Sequence, residues 1–340
     1  MSPYRLFVLV LLLSVSLAPL VGQSGAVLPL DERLTDYGYP YPARVYEFTS
    51  QLQQLEMIYM DETPARHNGK TVVLLHGKNF PSAYWKSTMN LLLEQGYRVI
   101  APDQIGFGKS SKPRQYQFTF QDLAHNTRWL LYSLRIDEAI VVGHSMGGML
   151  ATRFALMYPE ITTSLILVNP IGLEDWKLKV PYQTVTEWYE GELKKDYASI
   201  REYQQTNYYA GEWKDAYDPW VYVQAGWAAS EDYAYVAWNA ALTYDMIFTQ
   251  PVVYEFSELQ MPTVLILGTR DRTALGKPLV SEEVRQTMGR YDQLGSTIVE
   301  QIPRGTLIKL DGLGHLPHIE NFDRFARAFK QALNATPDKP

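Results

Sequence analysis

Short apolar runs alternate with amphipathic stretches along most of the chain. "TVVLLH" (71–76), "RVIAPD" (98–103), "EAIVVGH" (138–144), "SLILVNP" (164–170), "TVLILGT" (263–269) and "GTLIKLDG" (305–312) are rich in β-branched and apolar residues. Such runs predict strands buried on both faces. Apolar residues at helical spacing predict helices over 82–94, 118–134, 146–158, 279–288 and 319–333. Two more strands are expected near Arg44–Phe48 and Leu55–Tyr59. "HNGK" (67–70) reads as a turn, since Asn-Gly tolerates positive φ. Strands alternating with helices predict an α/β fold: a mostly parallel central sheet covered by helices.

The alternation breaks once. Residues 172–258 contain no strong buried-strand pattern, yet they hold six of the eight tryptophans and about half of the 24 tyrosines. That enrichment predicts an inserted helical cap, or lid, that contacts a ligand. The expected division is an α/β core from 27–171 and 259–340, with the cap at 172–258.

The N-terminus breaks the pattern differently. One early cation, Arg5, precedes an apolar stretch from Leu6 to Ala18, and small and polar residues follow. This is the layout of a secretory signal peptide, expected to occupy 1–26 with Ser24-Gly25-Ala26 as its small-residue end. The apolar run is shorter than the roughly 20 residues of a membrane span. The expected location is secreted or periplasmic, or membrane-anchored if the segment is not cleaved. A net charge of −6 and the lack of any long basic run argue against nucleic acid as a partner. The chain has no cysteine, which excludes disulfides, thiolate nucleophiles and cysteine-ligated metals.

Candidate chemistry collects after the strands, where open α/β sheets bind their ligands. Gly143-His144-Ser145-Met146-Gly147 matches G-x-S-x-G between a strand and a helix. There a serine adopts a strained turn and exposes its hydroxyl over the helix N-terminus. "HGKNF" (76–80) offers a loop whose backbone N–H faces the serine. Lys78 is the first choice of donor and Asn79 the second; with the N–H of Met146 it forms an oxyanion hole. The Lys78 side chain is expected to be an ordinary solvated lysine. Asp271, after the strand at 263–269, can orient a histidine, and His315 in "DGLGHLPHIENF" (311–322) is preferred to His318 as general base. His144 and Asp103 are read as structural, and Glu320 as a cap or brace of the last helix.

The order Ser145, Asp271, His315 is that of α/β hydrolases. The chain resembles that family, in the branch with a helical cap that includes esterases, enol-lactonases, carbon–carbon bond hydrolases and epoxide hydrolases. The resemblance covers about residues 45–335. It rests on His76-Gly77, Asp103-x-x-Gly-x-Gly-x-Ser110, Gly143-x-Ser145-x-Gly147, Asp271 and Gly314-His315. A serine nucleophile disfavours epoxide hydrolase and haloalkane dehalogenase activities, which use aspartate. "DRTALG" lacks the proline that often follows the acid, and Asn169 cannot act as a carboxylate. The loop is not of the triple-glycine form, so esters of bulky tertiary alcohols are not expected.

These residues imply a serine hydrolase of carboxylic esters or lactones, working through an acyl-enzyme on a small-molecule substrate. It requires no metal or organic cofactor. Activity is expected to rise through roughly pH 6–7, as the histidine becomes neutral. Alternatives on the same scaffold are a carbon–carbon bond hydrolase, a cofactor-free haloperoxidase, or a non-catalytic small-ligand-binding protein. The aromatic cap predicts short-to-medium apolar or aromatic acyl groups, in preference to charged ones and to long triglycerides.

Overall fold

The computed structural model describes residues 27–335; the expected signal peptide lies outside them. Strands β1 (Ala43–Ser50), β2 (Gln53–Glu62), β3 (Thr71–Leu75), β4 (Arg98–Pro102), β5 (Ala139–His144), β6 (Thr162–Val168), β7 (Thr263–Gly268) and β8 (Gly305–Leu310) form one sheet. Its order is β1-β2-β4-β3-β5-β6-β7-β8. β2 runs antiparallel to both of its neighbours, and all later pairs are parallel.

Helices cover both faces, because the central strands are apolar on both sides. Val141, Leu165 and Leu265 face one hydrophobic cluster, and Ile140, Ile166 and Val264 face the other. Helix α1 (Lys86–Glu94) follows a 3₁₀ turn at Ser82–Trp85. Helix α2 (Phe120–Ser133) is capped by the Thr119 hydroxyl, which accepts from the Asp122 N–H at 2.9 Å. Helix α3 (Met146–Met157) starts directly from β5.

Between β6 and β7 the chain is helical: α4 (Val185–Glu192), α5 (Tyr197–Tyr203), α6 (Asp218–Ala228) and α7 (Tyr233–Thr249). α5 runs into a π-helical turn at Gln204–Tyr208. Two aromatic contacts join α4 to α7: Trp188 stacks on Tyr244 with ring centroids 4.8 Å apart, and Tyr189 meets Trp238 edge-on at 5.5 Å. The segment's own apolar cluster is small, Ile200, Val221 and Ala225, and much of its packing is shared with the α/β core. Tyr208, Tyr209 and Tyr217 are buried in the same cluster as Phe80 and Trp85.

The C-terminal third differs from the periodicity in two places. The helix expected over 279–288 is only a short α8 (Glu282–Gln286), and a longer α9 (Tyr291–Val299) carries the packing against β7 and β8. Gly289, at φ 65°, turns the chain between them. The last helix is split into α10 (Pro317–Glu320) and α11 (Phe322–Asn334) by Asn321, whose side chain accepts from the Arg324 N–H at 3.2 Å. Local apolar spacing does not register such a break, because the capping residue sits within the period.

Candidate active site

β5 turns into α3 at Ser145, whose backbone sits at φ 56°, ψ −121°. A non-glycine residue rarely adopts this conformation, and here the neighbours enforce it. A Cβ on Gly143 would lie 2.1 Å from the Gly147 carbonyl oxygen, and one on Gly147 would lie 2.2 Å from that of Leu75. Only glycine lets the strand, the turn and the helix pack this closely.

Three distant loops converge on the serine. His315, in the loop after β8, places Nε2 2.9 Å from the Ser145 hydroxyl. Its Nδ1 lies 2.6 Å from a carboxylate oxygen of Asp271, in the loop after β7. Asp271 is fully buried and also accepts from the Thr273 N–H and the Asn169 side-chain amide, each at 2.8 Å. A carboxylate holding these donors stays an acceptor, which makes His315 Nδ1 the donor and leaves Nε2 to accept from the serine. The arrangement can take the hydroxyl proton as Oγ attacks an electrophile.

The loop after β3 supplies the other wall. A Cβ on Gly77 would touch the Cβ of Ser145 at 3.0 Å, so Lys78 follows a residue packed on the serine. Met146 is the first residue of α3, and its N–H has no intrahelical partner. His76 Nδ1 donates to the Gly77 carbonyl at 2.8 Å, and its Nε2 accepts from the Gln104 N–H at 2.9 Å. Burial keeps His76 below its ordinary pKa and so neutral.

His144 connects two of the loops. Tyr84 OH accepts from the Gly77 N–H at 2.9 Å and donates to His144 Nδ1 at 3.0 Å. His144 Nε2 then donates to the His315 carbonyl at 2.9 Å. Asp103 accepts from the Ser82 N–H at 2.6 Å, from the Lys109 N–H at 2.8 Å and from the Tyr39 hydroxyl. It supports the loop after β4 and stays clear of the serine. His318 stacks on Trp85 with centroids 4.8 Å apart, and burial pushes its pKa down to about 3.

The profile of the α/β hydrolase fold matches residues 70–322. The chain belongs to this family. A probable hydrolytic enzyme from Pseudomonas aeruginosa, known as a crystal structure, is 51% identical with a TM-score of 0.89, over 90% of this chain and 99% of that one. An enol-lactonase from Burkholderia xenovorans has the same fold, at 17% identity and a TM-score of 0.62, over 82% of this chain and 98% of its own. A haloalkane dehalogenase of Mycobacterium marinum is 33% identical over 134 residues, which are 39% of this chain and 44% of that protein. The chain spans about a third of the length of the first curated relatives it matches, 30% and 37% for a mycobacterial protein and a Bacillus subtilis hydrolase-superfamily protein.

Several residues of this α/β hydrolase that shape the site escape a sequence reading. Asn169 is one: besides its bond to Asp271, its Oδ1 accepts from the Gly268 N–H at 3.0 Å, tying the end of β6 to the end of β7. Its position directly after a strand was the available signal. Tyr208, in the inserted segment, accepts from the His315 N–H through its carbonyl at 2.9 Å and stacks on the His315 ring at 4.8 Å. Gly314 permits this approach, since a Cβ there would lie 2.0 Å from the Tyr208 carbonyl oxygen. Glu320 braces the histidine loop, accepting from the Gly314 N–H at 2.5 Å and from Arg270 at 2.7 Å. The expected role at the last helix falls to Asn321.

The Lys78 side chain is not solvated, contrary to expectation. It is 7% exposed, and its Nζ lies 3.6 Å above the ring of Tyr244 with no hydrogen-bond partner. Burial pushes its pKa down to about 7, Glu192 opposes the fall and Lys195 adds to it. The turn at 76–80 directs Lys78 beneath the inserted helices, a placement that local sequence does not encode.

Proposed function

We propose that the protein is an exported serine hydrolase that cleaves carboxylic esters or lactones through an acyl-enzyme. The observation that carries the reading is the unbroken chain from Ser145 Oγ through His315 to Asp271, with 2.9 Å and 2.6 Å steps. Ser145 attacks the acyl carbon while His315 Nε2 takes its proton. Asp271 keeps the resulting imidazolium in place. The oxyanion accepts from the N–H groups of Met146 and Lys78, in a site where water is largely excluded. The C–O bond breaks, and His315 returns the proton to the departing alkoxide. Water then attacks the acyl carbon as His315 takes its proton, the bond to Ser145 Oγ breaks to release the acid, and His315 returns the proton to Oγ. Export rests on the N-terminal apolar stretch, Leu6 to Ala18.

A panel of acyl esters of graded chain length, run beside a serine-reactive phosphonate, tests the proposal. The phosphonate is expected to modify Ser145 and to abolish turnover in step with labelling. A Ser145→Ala enzyme that keeps a tenth of the wild-type rate would falsify it.

A further inference from the structure

Lys78 is a buried lysine in the loop that packs on the nucleophile, and the mechanism above uses only its backbone. The groups around Nζ, and those that act on them in turn, come from several elements. Glu192 ends α4, Lys195 lies just beyond it, Tyr203 is on α5, Tyr233 and Tyr244 are on α7, and Asn79 is the next residue in the loop. Lys195 donates to Glu192 at 2.5 Å, so that carboxylate already has its counter-ion. Burial raises the pKa of all three tyrosines, which stay neutral. Lys195 and Lys78 therefore share one carboxylate, and Lys78, whose Nζ has no hydrogen-bond partner, lacks an anion of its own. Buried charges are ordinarily paired, and leaving one unpaired is costly. The Tyr244 ring face offsets part of that cost but supplies no acceptor.

A cavity opens at this point. It has a volume of about 40 Å³ and is lined by Lys78, Asn79, Phe107, Glu192, Lys195 and Tyr233; it meets the triad through Asn79, whose amide donates to the hydroxyl of Tyr208 at 3.4 Å, the tyrosine stacked on His315. At roughly 10–15 Å³ for each water-sized occupant, it holds about three heavy atoms. That is the size of a carboxylate; a phosphoryl group is larger. The cations near Asp271 are engaged elsewhere: Arg270 pairs with Glu212 and Glu320, Lys277 donates to the Arg272 carbonyl, and Arg272 is also held. Arg272 donates to the carbonyls of Thr269 and Asp271 and pairs with Asp292 at 3.3 Å.

We infer that Lys78 Nζ forms a carboxylate subsite in the loop that packs on Ser145, and that the substrate is an ester or lactone bearing a carboxylate a few bonds from its scissile acyl carbon. This rests on the hydrolytic reading of Ser145 and names its substrate class. It reverses the expectation that the aromatic cap selects against charged acyl groups. Lys78 donates to the carboxylate while the adjacent backbone holds the oxyanion, so one short loop fixes both ends of the acyl part.

The test pairs monomethyl glutarate with methyl pentanoate, similar in length and differing in one carboxylate. The wild-type enzyme is expected to show kcat/KM for the glutarate ester about 10- to 100-fold above that for the pentanoate ester, the worth of a charge-assisted hydrogen bond. Lys78→Met is expected to bring that ratio to one or below. Lys78→Gln is the second variant if the first does not fold. Independently of turnover, propionate should slow phosphonate labelling of Ser145 in the wild type and not in Lys78→Met, with propionamide inert in both. Hydrolysis of methyl pentanoate with a wild-type ratio at or below one, or equal propionate protection in the variant, overturns the subsite. If neither ester is cleaved while propionate still protects through Lys78, the hydrolytic reading fails and the subsite stands.

Discussion

Asp271 holds three donors at once, from His315, Asn169 and Thr273. Replacing it by asparagine presents an amide N–H to His315 Nδ1 and favours the wrong tautomer. Asp271→Asn is therefore expected to lower kcat by on the order of 10⁴, and Ser145→Ala and His315→Ala by a similar factor, with folding intact by circular dichroism. A mild Asp271→Asn would assign the orienting role to another carboxylate. Lys78 gives a prediction of the opposite kind. Its folded-state pKa, about 7, lies below its ordinary value of 10.5, so the folded protein disfavours the ammonium form. The cost is present in full below about pH 7 and vanishes above the unfolded value. Lys78→Met should therefore raise Tm at pH 6, by roughly 2–4 °C for each kcal/mol gained, and the gain should shrink toward pH 10. A Tm that falls at pH 6 would show that Nζ is compensated in the free protein.

The nucleophile turn belongs to β5, α3 and β3 together, since Gly143 and Gly147 are hemmed in by backbone atoms of those elements. Backbone cannot rotate out of the way as a side chain does. Gly147→Ala is expected to cost about 4 kcal/mol or more, or to prevent accumulation of folded protein. Gly191→Ala is the control. It lies within α4 with nothing within 4 Å of the added Cβ, so it should be neutral or stabilising by up to about 1 kcal/mol. Urea midpoints of the two variants check both signs. At α10, His318 packs on Trp85 and Tyr84 with centroids 4.8 Å and 4.9 Å away, and neither ring nitrogen has a partner. Its pKa falls from 6.5 to about 3 on folding, so its contribution to stability is complete above 6.5 and is lost as pH drops toward 3. At pH 5 the loss is about 2 kcal/mol. Unfolding curves at pH 5 and 7.5 should differ by at least that amount, and His318→Phe should narrow the gap.

At the scale of the whole molecule, the inserted helices and the α/β core share their packing. Besides Tyr208, Tyr209 and Tyr217, the strap of residues 27–37 sets Leu30 and Leu34 against Trp227, with the Leu30 N–H donating to the Gly226 carbonyl at 2.9 Å. Excision of 185–249 should therefore yield aggregating protein, without an open, permissive enzyme; a soluble, active core would show two independent units. N-terminal sequencing of protein made in a secreting host should find the chain beginning near residue 27, and an intact Met1 in a soluble cytosolic fraction would count against export. Sequence by itself determined the α/β class, because buried parallel strands must be apolar on both faces. It also singled out Ser145, Asp271 and His315, because a strained turn demands glycines at fixed offsets and loops after strands gather at one sheet edge. Chain order carried no information about which side chains meet across gaps of a hundred residues, such as Asn169 with Asp271 or Tyr208 with His315. Nor did it show the environment of Lys78: charge and solvation depend on what covers a residue, and here α4 and α7 cover it from more than a hundred positions away. Tertiary packing alone decided that this lysine is buried without a hydrogen-bond partner.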